Sequence, residues 1–133
     1  MIPAGMSELR SAFHRHTAAV GRNDSTSHQL LWFYAIECGL KSVYLRRRAL
    51  PTTAQMPQEL LGNHDLGRLV KELRLSASLV GQIPDFHLRR DNTCYPISQA
   101  HQAWRYGITI KMDDEQNLRQ WLAGVHDWIK GEI

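Results

Sequence analysis

The sequence predicts an all-α chain folded as one domain over residues 1–133. Two observations lead there. Apolar residues recur at spacings of three and four along most of the chain, the pattern of helices that bury one face. Proline and glycine punctuate those stretches, and no internal repeat, low-complexity tract or interdomain linker divides them. At 133 residues the chain is long enough to bury a core without disulfides or a structural metal.

Ser7 is placed to cap a first helix running to about Val20, with Leu9, Ala12, Phe13, Thr17 and Val20 on its apolar face. Gly21 stops it, and Asn23 to Ser27 form a turn. The second helix, from about Ser25 to Arg48, is the longest and the most apolar. Trp32, Ile36, Leu40 and Val43 make one stripe; Leu30, Phe33, Tyr34, Glu37, Lys41 and Tyr44 make a neighbouring one. Such a helix is expected to be central, and Arg46-Arg47-Arg48 suit the negative end of its dipole.

Ala49 to Asn63 contains Pro51, Pro57 and Gly62 and reads as a long connection with a short turn at Gln58 to Leu61. A third helix is expected from His64 or Asp65 to Val80, with Arg68, Lys71 and Arg74 aligned on its outer face. Gly81 to Pro84 breaks the pattern, and Phe86 to Tyr95 fits loop and helix equally. Pro96 suits the first turn of a helix that carries Ile97, Ala100, His101 and Trp104 on one face and ends at Gly107. After a short extended piece, Ile108 to Met112, the last helix opens with a capping box of Asp113 and Gln116. Its buried stripe is Leu118, Trp121, Leu122, Val125, Trp128 and Ile129, which should dock on the central helix.

Sixteen Lys and Arg against thirteen Asp and Glu give a formal charge of +3, too mild to define a polyanionic partner. No stretch reaches the roughly eighteen apolar residues of a membrane span. Cys38 and Cys94 stand far apart and no cleavable leader precedes them, so a reduced, cytoplasmic setting is expected.

Several residues stand out as chemistry. Glu37 and Lys41, four apart on an apolar stripe, need partners, and Arg105 or His64 from a neighbouring helix would serve. Asp65 suits a helix start. His64-Asp65 and His126-Asp127 invite comparison with the metal-dependent HD phosphohydrolases, but no further Asp follows the second pair and no metal site is expected. His14 and His16 point to different helix faces. Neither cysteine has a readable base beside it, the nine glycines form no phosphate loop, and no cofactor is expected. Arg46, Arg47 and Arg48, then Arg68, Lys71 and Arg74, then Arg89-Arg90 are candidates for a phosphate-binding face, with Tyr44, His87 and Tyr95 available to stack on bases. Solvated helix faces have the same composition.

Three segments in order, Tyr34-Ala35-Ile36-Glu37-Cys38-Gly39-Leu40-Lys41, His64-Asp65-Leu66 and Trp104-Arg105-Tyr106-Gly107, resemble the HEPN family over about Ser25 to Ile133. The resemblance implies an antiparallel up-and-down bundle of four to five helices that commonly forms a homodimer. Family members are either metal-independent ribonucleases of toxin and defence systems, or relatives that bind nucleotides or partner nucleotidyltransferases. The nucleases place an Arg before a His that follows about a turn later; Tyr106 to Lys111 contain no His, which argues against cleavage. Arg10 and His16 have a comparable spacing, but in the first helix, where His16 would be the base and Arg10 would stabilise the phosphate.

The resulting expectation is a non-catalytic module that binds nucleotide or RNA phosphate groups, or serves as a partner subunit. Glu37, Lys41, His64, Asp65, Arg105 and Tyr106 would form its polar cleft. The alternatives are a metal-independent ribonuclease and a purely structural assembly module.

Overall fold

The computed structural model describes residues 2–20 and 26–133. Helix α1 spans Met6–Val20, α2 Thr26–Arg48, α3 Leu66–Glu72, α4 Ala77–Val80, α5 Ala100–Arg105 and α6 Met112–Glu132. One two-stranded antiparallel sheet, β1 Phe86–His87 with β2 Cys94–Tyr95, joins them. The chain is therefore mostly helical. No helix among the described residues is long and apolar enough to cross a membrane.

Helix α2 is the axis. It packs against α1, α3, α5 and α6, so Phe33, Ala35, Ile36, Leu40, Val43, Tyr44 and Leu45 are all buried although they point in different directions. Helix α6 supplies the opposing stripe of Leu118, Trp121, Leu122, Val125 and Ile129, with Trp128 half-buried at its edge. Gly39 makes the packing possible. A Cβ there would lie 2.8 Å from Ile129 Cγ2 and 2.9 Å from Phe13 Cδ1, so α1 and α6 both close on bare backbone.

The expected ends differ from those observed in several places, each for a local reason. Helix α1 begins at Met6, so Ser7 lies inside the first turn, and Glu8 Oε1 accepts the Gly5 N–H instead. Gly21 and residues 23–25 of the expected turn, including Ser25 at the expected start of α2, lie outside the described residues, while Thr26 and Ser27, the latter also expected in that turn, already belong to α2. Helix α2 ends through Ala49 in the left-handed region at φ 53°, with the Leu50 N–H bonded to the Leu45 carbonyl at 2.9 Å.

The connection that follows is tied down. Thr53 is buried; its Oγ1 accepts the Ala4 N–H at 3.0 Å and its own N–H donates to the Ala4 carbonyl at 2.8 Å. Short 3-10 turns at Thr53–Gln55 and Gln58–Leu60 put Met56, Leu60 and Leu61 into the core.

The expected helix from His64 to Val80 is broken. Asp65 caps α3 by accepting the Arg68 N–H at 3.1 Å, but Arg74 adopts φ 58° and the Leu75 N–H bonds back to Val70. Arg47 donates to the freed Leu73 carbonyl at 2.8 Å, and the chain restarts as α4. Arg68, Lys71 and Arg74 therefore share no continuous helix face. Phe86 to Tyr95 is a β-hairpin, neither helix nor open loop, because Phe86 and Leu88 are buried while His87 and Arg89 turn outward. Pro96 precedes a 3-10 turn, Ile97–Gln99, that leads into α5.

Asp113 and Gln116 form no capping box. The N-cap position of helix α6 is Lys111, two residues before Asp113, and it supplies no side-chain cap to the helix that starts at Met112.

Gly39→Ala should lower stability by about 1–2 kcal/mol: overpacking at this contact outweighs the helix propensity that alanine gains. Urea unfolding with an unchanged m-value would show it, whereas a gain in stability would mean that α1 and α6 can retreat without cost.

Candidate functional site

Helix α2 presents Tyr34, Glu37 and Lys41 on one side, at spacings of three and four. Glu37 is only 7% exposed, and both of its oxygens are used. Lys41 Nζ donates to Oε2 at 2.8 Å, and His64 Nδ1 donates to Oε1 at 2.8 Å. His64 reaches it from the residue before the α3 cap, held in the left-handed region at φ 50°. Burial alone would raise the Glu37 pKa; the His64 hydrogen bond and the Lys41 charge outweigh it and hold the carboxyl below its ordinary value.

Helix α5 completes the cluster. The His101 ring lies against His64 with centroids 4.3 Å apart and against Phe33 at 5.6 Å. One turn later, the Arg105 guanidinium donates to the Tyr34 hydroxyl. The cluster is graded from inside to outside, with Glu37 and His101 buried, Lys41, Tyr34 and His64 partly open, and Arg105 exposed. Tyr106, 65% exposed, sits at the rim, where with Tyr34 it keeps the Arg105 pKa above its ordinary value.

His101 was legible in the sequence only as an apolar-face residue. It lies four positions before Arg105, so the two share a helix side, and that spacing was the available signal. Its Nδ1 is buried without a hydrogen bond of ordinary geometry; the Ser98 backbone acts on it only weakly. Burial, then the neighbouring His64 and Arg105 charges, push its pKa below the ordinary value, so the ring is neutral at neutral pH.

Glu37 and Arg105 do not meet; Tyr34 takes the arginine and His64 takes the carboxylate. Asp65 serves α3 as its cap.

The Arg46-Arg47-Arg48 run is engaged elsewhere. Arg46 donates to the Glu132 carbonyl and to its Oε2, Arg47 bonds Leu73 and lies over Trp128, and Arg48 lies over Tyr44. Of the rings considered for stacking, Tyr44 is buried, Tyr95 packs on Phe86, and His87 bonds Asp114.

Arg10 is exposed on α1, and His16 lines a shallow groove with Ser7, Glu8, Ser11, Ala12 and Arg15 that does not include Arg10. His126 stacks on Trp32 at 4.3 Å and bonds Thr17 at 3.1 Å, while Asp127 pairs with Lys130. Among the described residues, no three His, Cys, Asp or Glu side chains are grouped to hold a metal ion.

The buried histidines give a pH dependence with a definite sign. His101 and His126 both fall below the ordinary 6.5, each mainly through burial, so below that value the unfolded chain binds more protons than the fold. Stability is complete above 6.5 and declines on acidification; Glu37 adds a further loss as pH falls below its ordinary 4.5. Thermal midpoints measured from neutral pH down to about pH 5 should fall, and a His101→Gln, His126→Gln variant should show a flatter profile.

The cysteines should also differ. Burial and Glu37 raise the Cys38 pKa, so iodoacetamide should modify exposed Cys94 first and Cys38 only on unfolding. Equal rates in the folded protein would contradict the packing around α2.

Comparison of the chain with protein-family models, with curated proteins and with solved structures returns no match.

Proposed function

We propose that the chain is a HEPN-like module, an antiparallel up-and-down bundle acting as a homodimer or partner subunit, that binds phosphate groups of a nucleotide or RNA without cleaving them. The observation that carries this reading is the exposed Arg105 guanidinium, anchored by Tyr34 beside half-buried His64, above a closed Glu37–Lys41 base. An arginine held at one edge keeps its remaining donors for a planar, bidentate contact with phosphate oxygens. His64, fixed through Nδ1 by Glu37, lies beside the same tyrosine, with ring centroids 6.0 Å apart.

Three segments distant in the sequence supply these side chains, and they are the segments that carry the family resemblance. Binding is favoured over catalysis by the state of the second imidazole. His101 is 4% exposed and wedged between Phe33 and His64, so it has no open path to a substrate hydroxyl.

A nucleoside triphosphate at millimolar concentration should raise the thermal midpoint of the wild-type protein, and Arg105→Ala should lose most of that shift. Incubation with RNA in EDTA should leave it intact; cleavage abolished in Arg10→Ala or His16→Ala would replace this reading with the ribonuclease. Absence of both stabilisation and cleavage would leave the cluster a purely structural network.

A further inference from the structure

A second polar constellation lies on the hairpin, on different side chains from the Arg105 cluster. The strand backbone continues past β1: Leu88 bridges Ile110, the Arg89 N–H donates to the Thr109 carbonyl at 3.0 Å, and the Lys111 N–H donates to the His87 carbonyl at 2.9 Å. Alternation along both segments then sorts the side chains. Leu88 and Ile110, 4% and 3% exposed, enter the core, so His87, Arg89, Thr109 and Lys111 all lie on the opposite face.

That face is one wall of a cleft of about 730 Å³, and the first turn of α6 forms the other with Asp113, Asp114 and Glu115. The volume falls in the range of small-molecule sites, about 300–1,000 Å³.

The polar groups in the cleft are differentiated. Asp114 Oδ2 accepts the His87 backbone N–H at 2.7 Å and its ring Nδ1 at 2.8 Å, which fixes the ring and leaves Nε2 without a partner among the described residues. Arg89 and Lys111 have no side-chain partner among the described residues either. Glu115 is neutralised by Arg119 at 2.7 Å, whereas Asp113 has no side-chain partner among the described residues.

We infer that this cleft binds a small hydroxyl-bearing phosphate monoester, its phosphate held by Arg89, Lys111 and Thr109 and a hydroxyl accepted by Asp113. Two unpaired cations match the dianionic charge of a phosphate monoester better than a single carboxylate. The unpaired Asp113 carboxylate, which would repel a bare anion, supplies the acceptor that a hydroxyl needs.

Calorimetric titration at neutral pH with ribose 5-phosphate, and separately with inorganic phosphate, tests it. Ribose 5-phosphate should bind saturably in the millimolar range or tighter, and more tightly than inorganic phosphate. An Arg89→Ala, Lys111→Ala variant should bind about tenfold or more weakly with an unchanged thermal midpoint, since both side chains are exposed. Arg105→Ala should bind as the wild type does, so this outcome is separate from that of the Arg105 cluster. Absence of saturable binding at tens of millimolar, full retention in the double variant, loss in Arg105→Ala, or equal affinity for inorganic phosphate would each overturn the assignment.

Discussion

The close approach at Gly39 governs this molecule. Ile129 from α6 and Phe13 from α1 both sit where a Cβ would be, which draws two helices onto the middle of α2 from different sides. Little of α2's central portion is left for solvent. Any polar group on that portion must then find its partners inside the protein, and Glu37 lies two residues away. The Glu37 network follows from that constraint: a buried carboxylate is tolerated because Lys41 from its own helix and His64 from the next segment each take one oxygen.

The same constraint explains where the candidate sites are. Chemistry is displaced toward the ends and edges of the bundle, where short elements meet the long helices. Helix α5, six residues long, brings Arg105 to the rim, and a two-residue strand pair brings His87 and Arg89 to the start of α6. Basic residues on the long helices are largely consumed by packing. Arg46 and Arg47 close the end of α2 against Glu132 and Leu73, and this removes part of the phosphate-binding face that composition alone suggested.

What the sequence disclosed tracks how local the signal is. The stripe of α6 and the two stripes of α2 are read directly from spacing, because burial of a long helix is periodic. Asp65 as a cap is equally local. The break at Arg74 is not legible, since the left-handed residue there is not glycine and the carbonyl it exposes is satisfied by Arg47 from another element. The hairpin escapes because its strands are two residues long, too short for alternation to stand out. In the candidate site, Glu37 announced itself as a charge on an apolar stripe. His101 did not, because a histidine on an apolar helix face looks the same whether it packs or participates. The pairing of His87 with Asp114 depends on the hairpin and was invisible for the same reason as the hairpin.

The hydrogen bond between Thr17 and His126 joins residues 109 positions apart, while the Ala4 and Thr53 pair spans 49. Loop-closure entropy rises with such separations, so topology favours an order of assembly. The α1–α2 pair can form from neighbouring chain, and the Ala4–Thr53 clasp secures it at an intermediate separation. Docking of α6, which covers Gly39 and seats His126 against Trp32, closes the longest loop and falls last. Until then the most apolar helix of the chain stands with one flank bare, and the half-assembled bundle is the species most exposed to association with its own kind.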